Sequence, residues 1–143
     1  FTGRWTRQQV VAFHTAHKLQ LMAHSTKIYR DLGQRVATVK GLPRSEFRDG
    51  YIRDFMTALS KVASPGRNTN VLQHCAGYFK KQLTFGERAE LADLIYDYRK
   101  GIVPLVVPLT LIRHFARLYD IEYLKGQYFL DPHPRELMLR NHV

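Results

Sequence analysis

Apolar side chains recur every three or four positions through almost all of this chain, and that period points to helices rather than strands. Phe47, Tyr51, Phe55, Leu59 and Val62 form the clearest run, each about one helical turn from the next. Thr6 and Gln9 have the spacing of a capping box, which predicts a helix over residues 7–24. Ser25 caps a second helix to about Val39, with Gly33 as its weak point. Gly41 and Pro43 break the pattern, and Ser45 opens a third helix. The stretch from Ser64 to Asn70 reads as a loop by composition, followed by a fourth helix to about Leu83. Thr84 and Glu87 form another capping box for a fifth helix ending near Gly101, and Pro108 suits the first turn of a sixth. Two short helices are expected near residues 121–130 and 134–141, separated by Asp-Pro-His-Pro. The expected fold is all-α: one compact bundle of about six to eight helices spanning residues 1–143.

Charge is distributed unevenly over that bundle. The first acid is Asp31, preceded by Arg4, Arg7, Lys18, Lys27 and Arg30 and by His14, His17 and His24. Residues 1–40 hold seven Lys/Arg against one acid, residues 41–82 seven against three, and residues 83–143 eight against eight. The whole net charge of +10 therefore lies in the first 82 residues. Localised positive charge is the footprint of a phosphate-backbone partner. A solvated basic face with no partner would leave the same count.

Several function classes are excluded or disfavoured. A single cysteine, Cys75, rules out an internal disulfide and a cysteine-held iron–sulfur cluster within this chain. It also suggests a reducing compartment, so the expected location is cytoplasmic. The longest apolar run, Ile102 to Ile112, is too short to span a bilayer and contains Pro104 and Pro108, so no membrane partner is expected. The Gly-rich phosphate loops and the Gly-x-Ser-x-Gly elbow are missing. Cys75 and His74 are adjacent and would point about 100° apart on a helix, so Cys75 reads as core rather than nucleophile.

The fourth helix divides most clearly into faces. Asn70, His74, Gly77, Tyr78 and Lys81 share about a third of its circumference, and Leu72, Cys75, Ala76, Phe79 and Leu83 collect opposite. An amide, an imidazole, a phenol and an ammonium on one side can contact phosphates and meet an exposed base. A polar face with His74 capping a neighbouring helix fits the same spacing.

On the first helix His14, His17, Leu21 and His24 share a side with Val10 and Phe13, while Lys18 stands at the margin. Those apolar neighbours would bury some of the histidines and satisfy them by hydrogen bonds. The candidate nucleic-acid contacts on this part of the chain are His14, His17, Lys18, His24, Ser25 and Lys27. The others are Asn70, His74, Tyr78, Lys80 and Lys81, with Arg113 and Arg140 further along.

His14 and His17 also have a spacing that can hold one ion, with His74 or His114 as a third ligand. The zinc-protease spacing is absent and no carboxylate lies near, so neither metal nor cofactor is expected. A metal-free histidine enzyme would need two imidazoles flanking a phosphate, from among His14, His17, His24 and His74.

The strings His14-Thr-Ala-His-Lys18, Leu21-Met-Ala-His-Ser25, Asn70-Val-Leu-Gln-His74 and Gly77-Tyr-Phe-Lys80 resemble the YbgA-like family. So do Tyr98-Arg-Lys-Gly101, the Pro104 to Pro108 segment, and the tail from Gln127-Tyr128 through Asp131-Pro-His-Pro134 to Arg140-Asn-His142. The resemblance covers nearly the whole chain. The family is a domain of unknown function that occurs alone and also C-terminal to a thiouracil-desulfidase domain, an arrangement implicated in removing sulfur from thiouridine in tRNA. The resemblance implies an RNA-binding accessory domain, with tRNA as the RNA and a desulfidase domain as partner in cis or in trans. The chain begins at Phe1, which fits a piece of a longer protein carrying that domain ahead of it. Desulfidation is attributed to a cluster held by several cysteines of the other domain, so this chain would deliver substrate and not perform the reaction. A protein-docking module for the desulfidase, or an enzyme acting on nucleic acid, are the alternative readings.

Overall fold

The Gln9 N–H donates to the Thr6 hydroxyl at 3.2 Å, while the Thr6 N–H donates to Gln9 Oε1 at 2.8 Å. This reciprocal cap starts α1, Arg7–His24, where the sequence places it. Ser25 then ends α1 and begins the next helix: its N–H donates to the Leu21 carbonyl at 2.8 Å. Its hydroxyl accepts from the Ile28 N–H at 3.2 Å, opening α2, Thr26–Ala37. One extended residue thus turns the chain between two helices. The computed structural model describes residues 5–38 and 44–131. The later helices are α3 (Arg44–Ser60), α4 (Pro65–Gly77), α5 (Phe85–Arg99), α6 (Val106–Leu118) and the single turn α7 (Glu122–Lys125), followed by a 3₁₀ turn at Tyr128–Leu130.

The expected all-α class is what forms: the described residues contain seven α-helices and no strand. The expectation for residues 64–83 needs correction. Ser64 to Asn70 is not a loop, because the Ser64 hydroxyl accepts from the Arg67 N–H at 3.1 Å and Pro65 occupies the first helical turn. Ser-Pro-Gly is turn-forming by composition, yet a serine cap followed by proline is also a helix start. Asn68 and Thr69, read as loop, are buried. At the other end α4 stops at Gly77 and the chain continues in turns, with the Tyr78 N–H donating to the Cys75 carbonyl and the Gln82 N–H to the Phe79 carbonyl. The short helix expected over 121–130 resolves into α7 and the 3₁₀ turn, and the one expected over 134–141 lies outside the described residues.

Two hydrophobic clusters meet along α1. Leu19 and Ala23 face a cluster with Leu72, Cys75 and Phe79, together with Leu91, Ile95, Ile112 and Phe115 of α5 and α6. Val10 and Leu21 face a second cluster of Trp5, Leu32, Phe47, Tyr51 and Phe55, which joins α1 to α2 and α3. Of the core stripe expected on the fourth helix, Leu72 and Cys75 are buried on α4 and Ala76 is half-buried against the same cluster, while Phe79 and Leu83 are buried in the turns beyond the helix. Burial pushes the Cys75 thiol up to about 12, so it remains a thiol and packs as an apolar group. No helix among the described residues is long and apolar enough to cross a membrane.

Candidate nucleic-acid interface

Helices α1 and α4 pack against each other, and neither contains an acidic residue. Two acids of α3 are occupied elsewhere: Asp54 binds Arg35 of α2 at 2.9 Å, and Asp49 binds Arg48 at 3.2 Å. Lys18, Lys27, Lys80 and Lys81 make no ion pair among the described residues. Lys27, Lys80 and Lys81 are exposed, and Lys18 is half-buried. Arg113 is in a different position, spent on Asp131 at 3.4 Å, and Arg140 lies outside the described residues.

The histidines of α1 separate into three roles. His14 is only 3% exposed and its Nδ1 shares a 3.0 Å hydrogen bond with the Tyr51 hydroxyl, so it belongs to the core and does not reach a surface phosphate. That corrects its placement among the contact residues; the reason is its position between α2 and α3, where Val10 and Leu21 also point inward. Burial, then Lys18 and His17, lowers its pKa to about 4, which keeps the ring neutral. His17 is half-buried and its Nδ1–H donates to the Phe13 carbonyl at 2.8 Å. His24 sits at the end of α1 and its Nδ1–H donates to the Lys61 carbonyl at 2.6 Å, tying α1 to the end of α3. Ser25 spends its hydroxyl on the α2 cap.

On α4 the polar face does form. Asn70 and His74 are exposed, and Tyr78, the cap residue, is 38% exposed. The Tyr78 ring meets His74 edge-on at 5.6 Å and stacks on Tyr123 at 4.9 Å with an interplanar angle of 18°. Burial, then Tyr78, holds the Tyr123 phenol well above its usual range, so it stays protonated. Lys80 and Lys81 follow in the turns beyond the helix. Among the described residues no three His, Cys, Asp or Glu side chains are grouped to hold a metal.

Sequence reasoning missed the segment that docks on α1. Gln127 is 2% exposed and clamps α1 through its side-chain amide: Nε2–H donates to the Thr15 carbonyl at 2.6 Å, and Oε1 accepts from the Leu19 N–H at 3.2 Å. Tyr128 next to it stacks on His17 at 4.3 Å and 19°. The signal available was the Gln-Tyr pair within the resembling tail, but nothing in its spacing says that it docks on a helix more than 100 residues earlier. Asn68 was also missed; it is fully buried and donates to the Tyr98 hydroxyl at 3.1 Å, joining α4 to α5.

One cavity lies apart from the α1 histidines, none of which lines it. It is a groove of about 690 Å³ between α4 and α5, with Phe79, Leu83, Leu91 and Ile95 on its floor and Lys80, Arg88 and Arg99 around it. None of its lining residues is acidic.

A protein family described as a protein of unknown function, DUF1722, matches residues 18–134. The uncharacterized protein YbgA of Escherichia coli (strain K12) is 37% identical over 137 residues, covering 95% of this chain and 81% of that protein. No solved structure matches. With the family match spanning most of the bundle and this relative aligned over nearly all of the chain, the chain belongs to the YbgA-like DUF1722 family.

Proposed function

We propose that this domain binds RNA, tRNA in the first instance, on the face built by α1, α4 and the Tyr123–Tyr128 segment. In this reading it serves as the accessory of a thiouridine desulfidase domain in the same polypeptide or in trans. The observation that carries it is the packing together of two acid-free helices that bear partly exposed stacked rings, together with four lysines that make no ion pair among the described residues. Lys18, Lys80 and Lys81, with Lys27 in the first turn of α2 beyond the end of α1, neutralise phosphates, while His74 and Tyr78 meet a base or ribose. Phosphate contacts give affinity and salt dependence, and ring contacts distinguish unpaired RNA from a regular duplex.

The test is a salt titration of binding to tRNA, with duplex DNA of similar length as control. Binding to tRNA is expected to weaken steeply with salt and to stay well above binding to DNA. Lys80→Ala with Lys81→Ala should lower the log–log slope by about 1 to 2, since each of these lysines would neutralise one phosphate. Equal, weak binding to both nucleic acids would reduce the basic half to generic charge.

A docking role toward the desulfidase domain has its own support in the apolar groove between α4 and α5. Its cationic rim suits an apolar partner surface fringed by carboxylates. Ala92→Trp would fill that groove; failure to bind the partner domain, with tRNA binding retained, would favour docking. Turnover of tRNA by this chain alone, abolished by one histidine change, would favour an enzyme instead.

A further inference from the structure

Tyr128 is the one exposed side chain in a buried stretch. Gln127, Phe129 and Leu130 on either side are 2%, 0% and 3% exposed, whereas Tyr128 is 55% exposed. A tyrosine with buried neighbours on both sides has its backbone fixed by them and cannot swing away as a residue in a free loop would. The Gln127 amide strengthens that hold through its two hydrogen bonds to the α1 backbone.

The ring itself is set in a pile. Phe13 stacks on His17 at 4.2 Å and 29°, and His17 stacks on Tyr128 at 4.3 Å and 19°. Phe55 meets the edge of His17 at 5.5 Å and 79°, and the Nδ1–H bond to the Phe13 carbonyl fixes the imidazole plane. One face of Tyr128 is thus covered by His17, and the ring's exposure lies away from that stack.

We propose that Tyr128 is a preformed stacking platform for one unpaired nucleobase, which would extend the Phe13–His17–Tyr128 pile by a fourth ring. This rests on the RNA-binding reading and specifies its ligand: an unpaired base of a structured RNA, not a paired helix. The chemistry is that of a flat, weakly polar ring offering its π-face, which accepts any base. Prior orientation of the ring removes most of the ordering cost that a mobile side chain would incur on binding.

The experiment compares tRNA with a blunt, fully paired RNA duplex, using the chain as it is together with Tyr128→Leu, Tyr128→Phe and Tyr128→Trp. Tyr128→Leu is expected to weaken tRNA binding about 10-fold. Its salt slope should stay unchanged and duplex binding unaffected, while Tyr128→Phe keeps the parent affinity. The chain has one tryptophan, Trp5, which is buried. Tyr128→Trp therefore adds an exposed fluorophore that tRNA should quench and the duplex should not. Parent-like tRNA binding by Tyr128→Leu, or equal losses on tRNA and duplex, would overturn the platform. If Tyr128→Leu does not fold, the tryptophan variant decides: fluorescence unquenched by bound tRNA overturns the proposal. Failure of the unaltered chain to bind tRNA at any salt instead removes the RNA reading itself, which keeps the two failures apart.

Discussion

A neutral imidazole costs far less to bury than an imidazolium, and His14 is held in the neutral form. Its Nδ1 is bonded to Tyr51, and its Nε2 has no hydrogen-bond partner among the described residues, where a charged ring would need one. With the pKa lowered from 6.5 to about 4, the unfolded chain takes up a proton at this residue before the folded chain does. Stability from this group is full above about pH 6.5 and declines as the pH falls toward about 4, by no more than ~3 kcal/mol. The predicted result is a urea midpoint that drops across this window. His14→Gln should flatten that part of the profile while retaining a partner for Tyr51. A slope unchanged in His14→Gln would assign the pH dependence to other groups.

At the scale of elements, caps decide where these helices begin. Thr6 and Thr84 each complete a reciprocal pair with a side chain three residues on, and both are readable from the sequence because the pattern is local. Ser64 caps α4 without such a pair, inside a run of turn-forming residues, and composition alone hides it. Ser64→Ala is therefore expected to lower stability by about 1 kcal/mol, measured by chemical denaturation. A residue in a plain loop would leave the midpoint unmoved. The early end of α4 matters for the site as well. Ending at Gly77 makes Tyr78 a cap residue and places its ring on Tyr123, joining segments more than 40 residues apart.

For the whole molecule the question is whether two hydrophobic clusters make two folding units. Helix α1 contributes Leu19 and Ala23 to one cluster and Val10 and Leu21 to the other, so neither can lose its packing without affecting this shared helix. A single cooperative transition is expected. Trp5 reports on the cluster of α1 to α3, and far-ultraviolet circular dichroism reports on all helices. The two probes should give one coincident melt. Phe47→Ala in one cluster and Leu72→Ala in the other should each shift that melt as a whole, at a cost of roughly 2–5 kcal/mol. A tryptophan transition that separates from the helical one would show two units instead.

The sequence by itself determined the all-α class, the two capping boxes, the burial of Leu72, Cys75, Phe79 and Leu83 and the concentration of positive charge in the first 82 residues. All of these follow from short-range spacing or from counting, and each needs only a few neighbouring residues to be visible. Tertiary structure alone decided which histidine is buried, because that depends on which helix covers the first one: His14 meets Tyr51 of α3, while His17, one turn further, meets Tyr128. It also decided that Gln127 clamps α1 and that Tyr128 stands exposed beside it. A helix period says which residues share a face. What covers that face is set by the packing of segments distant in the chain, and the candidate site lies where those segments meet.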